Sequence, residues 1–180
     1  MTYPTFNSGD VLTAAEMNAV GLWLVKTQTI GTGVATVAVT GAFSADYDHY
    51  RIIIQADSIA AGGPYLTIQM GATVTGYYYA APVANYSAGT VTAVTTNNGT
   101  SWNRLGPGTT TGMAGVYDIL NPFKSENTFI TGTYADPSTG GSAGVGSGYL
   151  NNTTSYTAFT IGVTSSTMTG GTIRVYGYRN

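Results

Sequence analysis

The densest crowding of titratable side chains is Asp46, Asp48 and His49. A general base or a hard-metal site needs two or three carboxylates, or a histidine, converging on one point. Here Asp46-Tyr47-Asp48 reads better as a polar turn leading into a strand at Tyr50, with His49 at its mouth. Asp57 sits at the far end of that strand, about 30 Å away if the strand is straight, and cannot join them. A serine hydrolase would need this single histidine beside an exposed serine, and no Gly-x-Ser-x-Gly elbow with a following base is in order. Gly144-Val145-Gly146-Ser147-Gly148 is glycine-rich but lacks the preceding apolar strand and the following helix with lysine that a phosphate cradle requires. Glycosidase chemistry needs two facing carboxyls, and no spacing among the acids selects a pair. No enzyme activity, metal or cofactor is expected.

Aromatic residues among threonine and asparagine are a better lead. Tyr77-Tyr78-Tyr79, Tyr86 and Trp102 fall in or beside expected loops; Tyr77, Tyr79, Tyr86 and Trp102 are the candidates for stacking on the C–H face of a sugar, with neighbouring polar groups serving its hydroxyls. The competing reading, which carries more weight, puts Tyr77 and Tyr79 on one strand face, packed inward or against another subunit, where tyrosine is favoured.

Composition narrows the classes further. In 180 residues there are 6 Lys+Arg, 8 Asp+Glu, no cysteine, 25 glycines and 14 tyrosines. A charged fraction of 8% with 43% hydrophobic residues excludes a disordered tail. The net charge of −2 speaks against nucleic-acid binding, which needs clustered lysine and arginine. No apolar run approaches the ~20 residues of a membrane helix, and Met1-Thr2-Tyr3-Pro4 begins no basic-apolar leader. Freely diffusing proteins keep apart through surface charge, so a neutral surface points to one covered by neighbours in an assembly or outside the cell.

The elements that position these residues are strands. Residues 1–9 read as an extended arm. Thr13-Ala14-Ala15-Glu16 matches a capping box, and Met17, Val20 and Leu24 follow at helical spacing with Trp23 beside them, predicting one short helix. Its stripe fits a lid on the body or pairing with copies of itself; self-association is favoured. Beyond Val25 the period becomes two. Strands are predicted over 36–40, 50–55, 66–70, 128–134, 157–163 and 172–178, with weaker signals over 77–79, 91–95 and 113–120. Turn clusters include Ala61-Gly62-Gly63-Pro64 and Thr169-Gly170-Gly171, and residues 136–148 read as a long exposed loop. About eight to ten strands without intervening helices predict an all-β fold, an antiparallel jelly-roll-like β-sandwich over 26–180, preceded by an arm and helix over 1–25.

The chain ends carry a resemblance. Thr5-Phe6-Asn7-Ser8-Gly9-Asp10-Val11-Leu12-Thr13-Ala14-Ala15-Glu16-Met17-Asn18 resembles the opening of many tailed-phage virion proteins. Thr169-Gly170-Gly171-Thr172-Ile173-Arg174-Val175-Tyr176-Gly177-Tyr178 is similar to the final strand of phage fibre and appendage sandwiches, and residues 47–54 and 66–71 look like the same group. The resemblance implies a non-enzymatic virion protein, usually a homotrimer. Its N-terminal arm and helix would attach to other virion proteins of tail or capsid, and its sandwich would project outward, with a host-surface glycan as a further partner. Phe6, Leu12, Met17, Val20, Trp23 and Leu24 are the residues assigned here to attachment and oligomerisation. No extended shaft repeat is present, which favours a short spike, tail-tip appendage or head decoration over a long tail fibre.

Overall fold

A computed structural model describes residues 9, 21–61, 63–138 and 140–178. Among these the protein is all-β. In chain order the strands are β1 (Leu22–Thr29), β2 (Thr36–Val39), β3 (His49–Ile59), β4 (Leu66–Met70), β5 (Tyr77–Asn85), β6 (Val91–Gly99), β7 (Met113–Leu120), β8 (Thr128–Ala135), β9 (Ser142–Leu150), β10 (Phe159–Val163) and β11 (Met168–Tyr178). Eight form one sheet in the order β1-β11-β3-β7-β8-β9-β5-β6, and three form a second in the order β2-β10-β4. All strand pairs are antiparallel.

The two sheets share one core, in the manner of a β-sandwich. Tyr50, Ile52 and Ile54 of β3 face the interior, as the alternation predicts, beside Tyr117 and Ile119 of β7 and Ile173 and Val175 of β11. From the smaller sheet come Val39, Leu66, Ile68, Met70, Phe159 and Ile161. Phe43 joins the layers, stacking on Phe159 at 5.5 Å and meeting Tyr50 edge-on at 4.9 Å. Three strands are too few to cover eight. Residues 100–108 extend the smaller sheet: Ile68 and Trp102 exchange backbone hydrogen bonds of 2.9 and 3.0 Å, and the Leu105 N–H donates to the Leu66 carbonyl.

Glycine and tyrosine are abundant for a linked reason. On the inner face of the larger sheet the glycines of β7, β8 and β9 leave shallow places over which tyrosine rings lie. A Cβ on Gly144 would come within 2.6 Å of the Tyr134 ring, one on Gly115 would meet Tyr117, and one on Gly146 would meet Tyr79. A flat aromatic over a bare backbone fills the space that a second side chain would otherwise occupy, keeping the interior close-packed.

The structure departs from the sequence reading in several places. The helix expected to end at Leu24 is not supported: Leu22, Trp23 and Leu24 belong to β1 and pair with Tyr178, Gly177 and Tyr176. Gly21 has φ +101°, which a right-handed helix cannot continue through, and the following residues satisfy their backbone in the ladder with β11. Thr13, Glu16, Met17 and Val20 of that helix lie outside the described residues, as do Phe6 and Leu12. The expected boundary at 25/26 therefore falls inside β1. Most of the segment read as a loop over 136–148 is strand, because Gly144, Gly146 and Gly148 alternate along one face of β9. Thr169-Gly170-Gly171 is not a turn but part of β11, where Gly171 at φ +102° lies too close to the Gln55 carbonyl to carry a side chain.

Candidate functional site

The smaller sheet covers one face of the larger; strand alternation turns the remaining side chains of the larger sheet outward. Successive registers align Leu22, Tyr178, His49, Leu120, Phe129, Tyr149 and Tyr78 in a row crossing β1, β11, β3, β7, β8, β9 and β5. Within it the Tyr78 and Tyr149 rings are stacked, 4.9 Å apart and 9° from parallel, and Phe129 follows at 6.5 Å, tilted by 40°. Rings so close cannot lie side by side in one plane, so this pair stands up from the sheet with its inner faces against each other. Phe129 and Tyr149 keep 43% and 37% of their surface exposed. Beside the ladder runs an open groove of about 640 Å³ lined also by Leu120, Thr131, Ser147, Thr95 and Asn97. None of its lining residues is charged.

The next row holds Arg51 and Asp118, opposite each other in register. The guanidinium donates twice to the carboxylate, Nε to Oδ1 and Nη2 to Oδ2, both at 2.9 Å, and the Tyr178 hydroxyl donates to Oδ1 at 2.7 Å. Burial pushes the Asp118 carboxyl up, but the hydrogen bonds from Arg51 and Tyr178 outweigh it and hold it below the usual carboxylate range. Burial, then the bond to Asp118, pushes Tyr178 up to about 12. The carboxylate is held ionised and the phenol protonated at neutral pH. This is a clamp across three strands, with no group poised to exchange a proton.

Asp46, Asp48 and His49 do not converge. Asp46 accepts from the Ser44 hydroxyl at 2.9 Å, and Asp48 pairs with Lys124 at 2.8 Å. His49 lies in the row between Tyr178 and Leu120, its buried Nδ1 without a hydrogen-bond partner among the described residues. No group of three His, Cys, Asp or Glu that could hold a metal occurs among the described residues. A second groove of about 430 Å³ includes Asp57, Tyr86 and Asp136. There Asp136 is buried and serves its own loop, accepting from the Ser138 N–H at 2.9 Å and the Thr109 hydroxyl at 3.3 Å.

Three of the four residues expected to stack on a sugar are interior. Tyr77 and Trp102 have no exposed surface, and they meet edge-on at 5.2 Å. The Tyr77 hydroxyl accepts from the Met70 N–H at 2.7 Å and donates to the Thr73 carbonyl at 3.1 Å, while the Trp102 indole N–H donates to the Tyr149 carbonyl at 3.3 Å. Tyr79 is buried over Gly146, and burial raises its hydroxyl above the ordinary phenol value. Tyr86 alone is exposed, outside the aromatic row. Of the residues expected to serve attachment, Trp23 is half-buried and Leu24 is exposed on the outer face.

Sequence reasoning missed Phe129 and Tyr149, and within the tyrosine triplet it chose Tyr77 and Tyr79 rather than the outward-facing Tyr78. Three consecutive tyrosines do not reveal their own phase. The usable signal was the alternation of Gly144, Gly146 and Gly148, which places Val145, Ser147 and Tyr149 on the opposite face of β9. No protein-family model, curated protein or solved structure matches the chain.

Proposed function

We propose that the chain is a non-enzymatic structural protein of a tailed-phage particle. In this reading residues 1–20 attach it to other virion proteins, it assembles as a homotrimer, and the all-β body faces outward to serve host attachment as a short spike or tail-tip appendage. The jelly-roll-like form of the sandwich belongs to the same proposal. The observation that carries it is that β1, the first strand after the N-terminal motif, begins at Leu22, whose register partner is Tyr178 at the end of the C-terminal motif. An attachment segment joined to a broad sheet in this way can pass load straight into the hydrogen-bonded ladder. Deletion of residues 1–20 should abolish incorporation into particles while the circular dichroism of the β body is retained. Deletion must stop short of Leu22, since β1 starts there. Normal incorporation of the truncated chain would refute the attachment role.

A capsid decoration or head-fibre protein is the alternative placement, and the same truncation reads out either. The glycan-binding alternative moves from Tyr77, Tyr79 and Trp102 to the groove beside Tyr78, Tyr149 and Phe129, because that groove puts partly exposed aromatic rings beside uncharged hydroxyls. Glycan-array binding lost in Tyr149→Ala would support it. A flat array leaves the structural role alone.

A further inference from the structure

We infer that the aromatic row on the open face of the larger sheet is the contact between protomers, its occupant being a second copy of this chain. The inference rests on the trimeric reading above and gives it a surface.

Four observations converge on this row. First, it is apolar over most of its length. Leu22, Leu120, Phe129, Tyr149 and Tyr78 all lie on the outer side, with Leu24 beside them in the next row. Leu22 and Leu24 remain 42% and 57% exposed, and large contiguous apolar patches on a protein surface mark interaction sites.

Second, the face is of a suitable size. Seven strands at a spacing of about 4.8 Å, each contributing about seven residues of about 3.4 Å, give roughly 29 by 24 Å, on the order of 700 Å². That is comparable with the ~800 Å² each partner contributes to a stable protein interface.

Third, the electrostatics of the row and of the row beside it permit self-contact, the exposed Arg174 lying two positions away from Tyr176 along β11. The groove lining is uncharged, and in the adjacent row Arg51 is neutralised in place by Asp118 at 2.9 Å. Two copies brought together here meet no like charges from this pair.

Fourth, the stacked pair has already used its inner ring faces on itself. A sugar ring seeks an open aromatic face, whereas a protein surface can pack against standing ring edges. This favours a protein occupant. The segment assigned to attachment and trimerisation joins the body at Leu22, the first residue of the same row, so copies gathered by their N-termini bring these rows to one axis.

The test is the full-length double variant Phe129→Thr/Tyr149→Thr, compared with the wild type by native mass measurement and sedimentation across a dilution series. Threonine is a good strand former and both positions point outward, so the fold is expected to survive. A folded variant whose association is weakened at least tenfold supports the inference. A folded variant that assembles like the wild type overturns it. A wild type that stays monomeric at every concentration defeats the trimeric reading instead, which separates the two failures.

Thiol labelling of Tyr149→Cys in this otherwise cysteine-free chain supplies a measurement that does not depend on the double variant folding. Labelling should be slow in the assembled protein and become fast on dilution. Labelling that stays slow at dilutions where native mass measurement shows a monomer would show the chain covering its own row, and labelling that is fast where it shows the oligomer would show the row bare; both overturn the inference.

Discussion

Tyr134 lies across Gly144, its register partner on the neighbouring strand. A Cβ at position 144 would come within 2.6 Å of the Tyr134 ring. Gly144→Ala should therefore lower stability by about 2 kcal/mol, as overpacking does in a dense interior, despite the higher strand propensity of alanine. Combining it with Tyr134→Leu should cost less than the sum of the two single changes, since the smaller side chain vacates the space. Denaturant unfolding of the three variants checks this; strict additivity would count against the ring-over-glycine packing.

Trp102 is expected to behave as a core residue. Trp102→Ala should lower stability by about 4 kcal/mol, the usual cost of deleting a buried large aromatic. Its indole fluorescence should be blue-shifted in the native state and unchanged by added oligosaccharide. A mild loss of stability, or quenching by sugars, would return this residue to the surface.

The Arg51–Asp118 clamp sets a pH dependence. The folded carboxyl lies below its unfolded value, so its contribution is present above about pH 4 and is lost as the pH falls through the folded value. Asp118→Asn should be less stable than the wild type by about 1 kcal/mol at pH 7, the scale of a partly exposed pair. The two unfolding curves should converge in acid. A difference that persists undiminished at low pH would show that the charge is not its source.

Alkali should act through the tyrosines. Tyr178 is pushed up to about 12, and burial raises Tyr77, Tyr79 and Tyr117 as well. A raised folded value means that the stabilisation is complete below about pH 10 and declines as the pH rises toward the folded value. Exposed tyrosines should ionise first, and the buried ones only together with unfolding. A single phenolate transition near pH 10 for all 14 tyrosines, with the fold intact, would contradict the burial.

Much of the body was legible because alternation survives where one strand face is buried. Tyr50, Ile52 and Ile54 declare β3, and Leu66, Ile68 and Met70 declare β4. β9 was hidden because its buried face is glycine, which a hydrophobicity pattern reads as empty although tyrosines from other strands fill it. β1 was misread because Leu24 falls at helical spacing from Met17 and Val20 in the sequence, while the partner that makes it a strand, β11, lies about 150 residues away. The aromatic row was illegible for a different reason. Its members come from separate strands, and only the register of the ladders brings Phe129 beside Tyr149 and Tyr149 beside Tyr78.

The placement of β11 between β1 and β3 also governs how the molecule comes into being. Until β11 has been synthesised, β1 has no neighbour and one long edge of β3 stands bare. The ribosome must release nearly all of these residues before the sheet can close. Such distant pairings fold on the millisecond-to-second scale, and prematurely terminated chains keep an open, adhesive margin. An incomplete copy therefore lacks the one strand that joins β1 to β3.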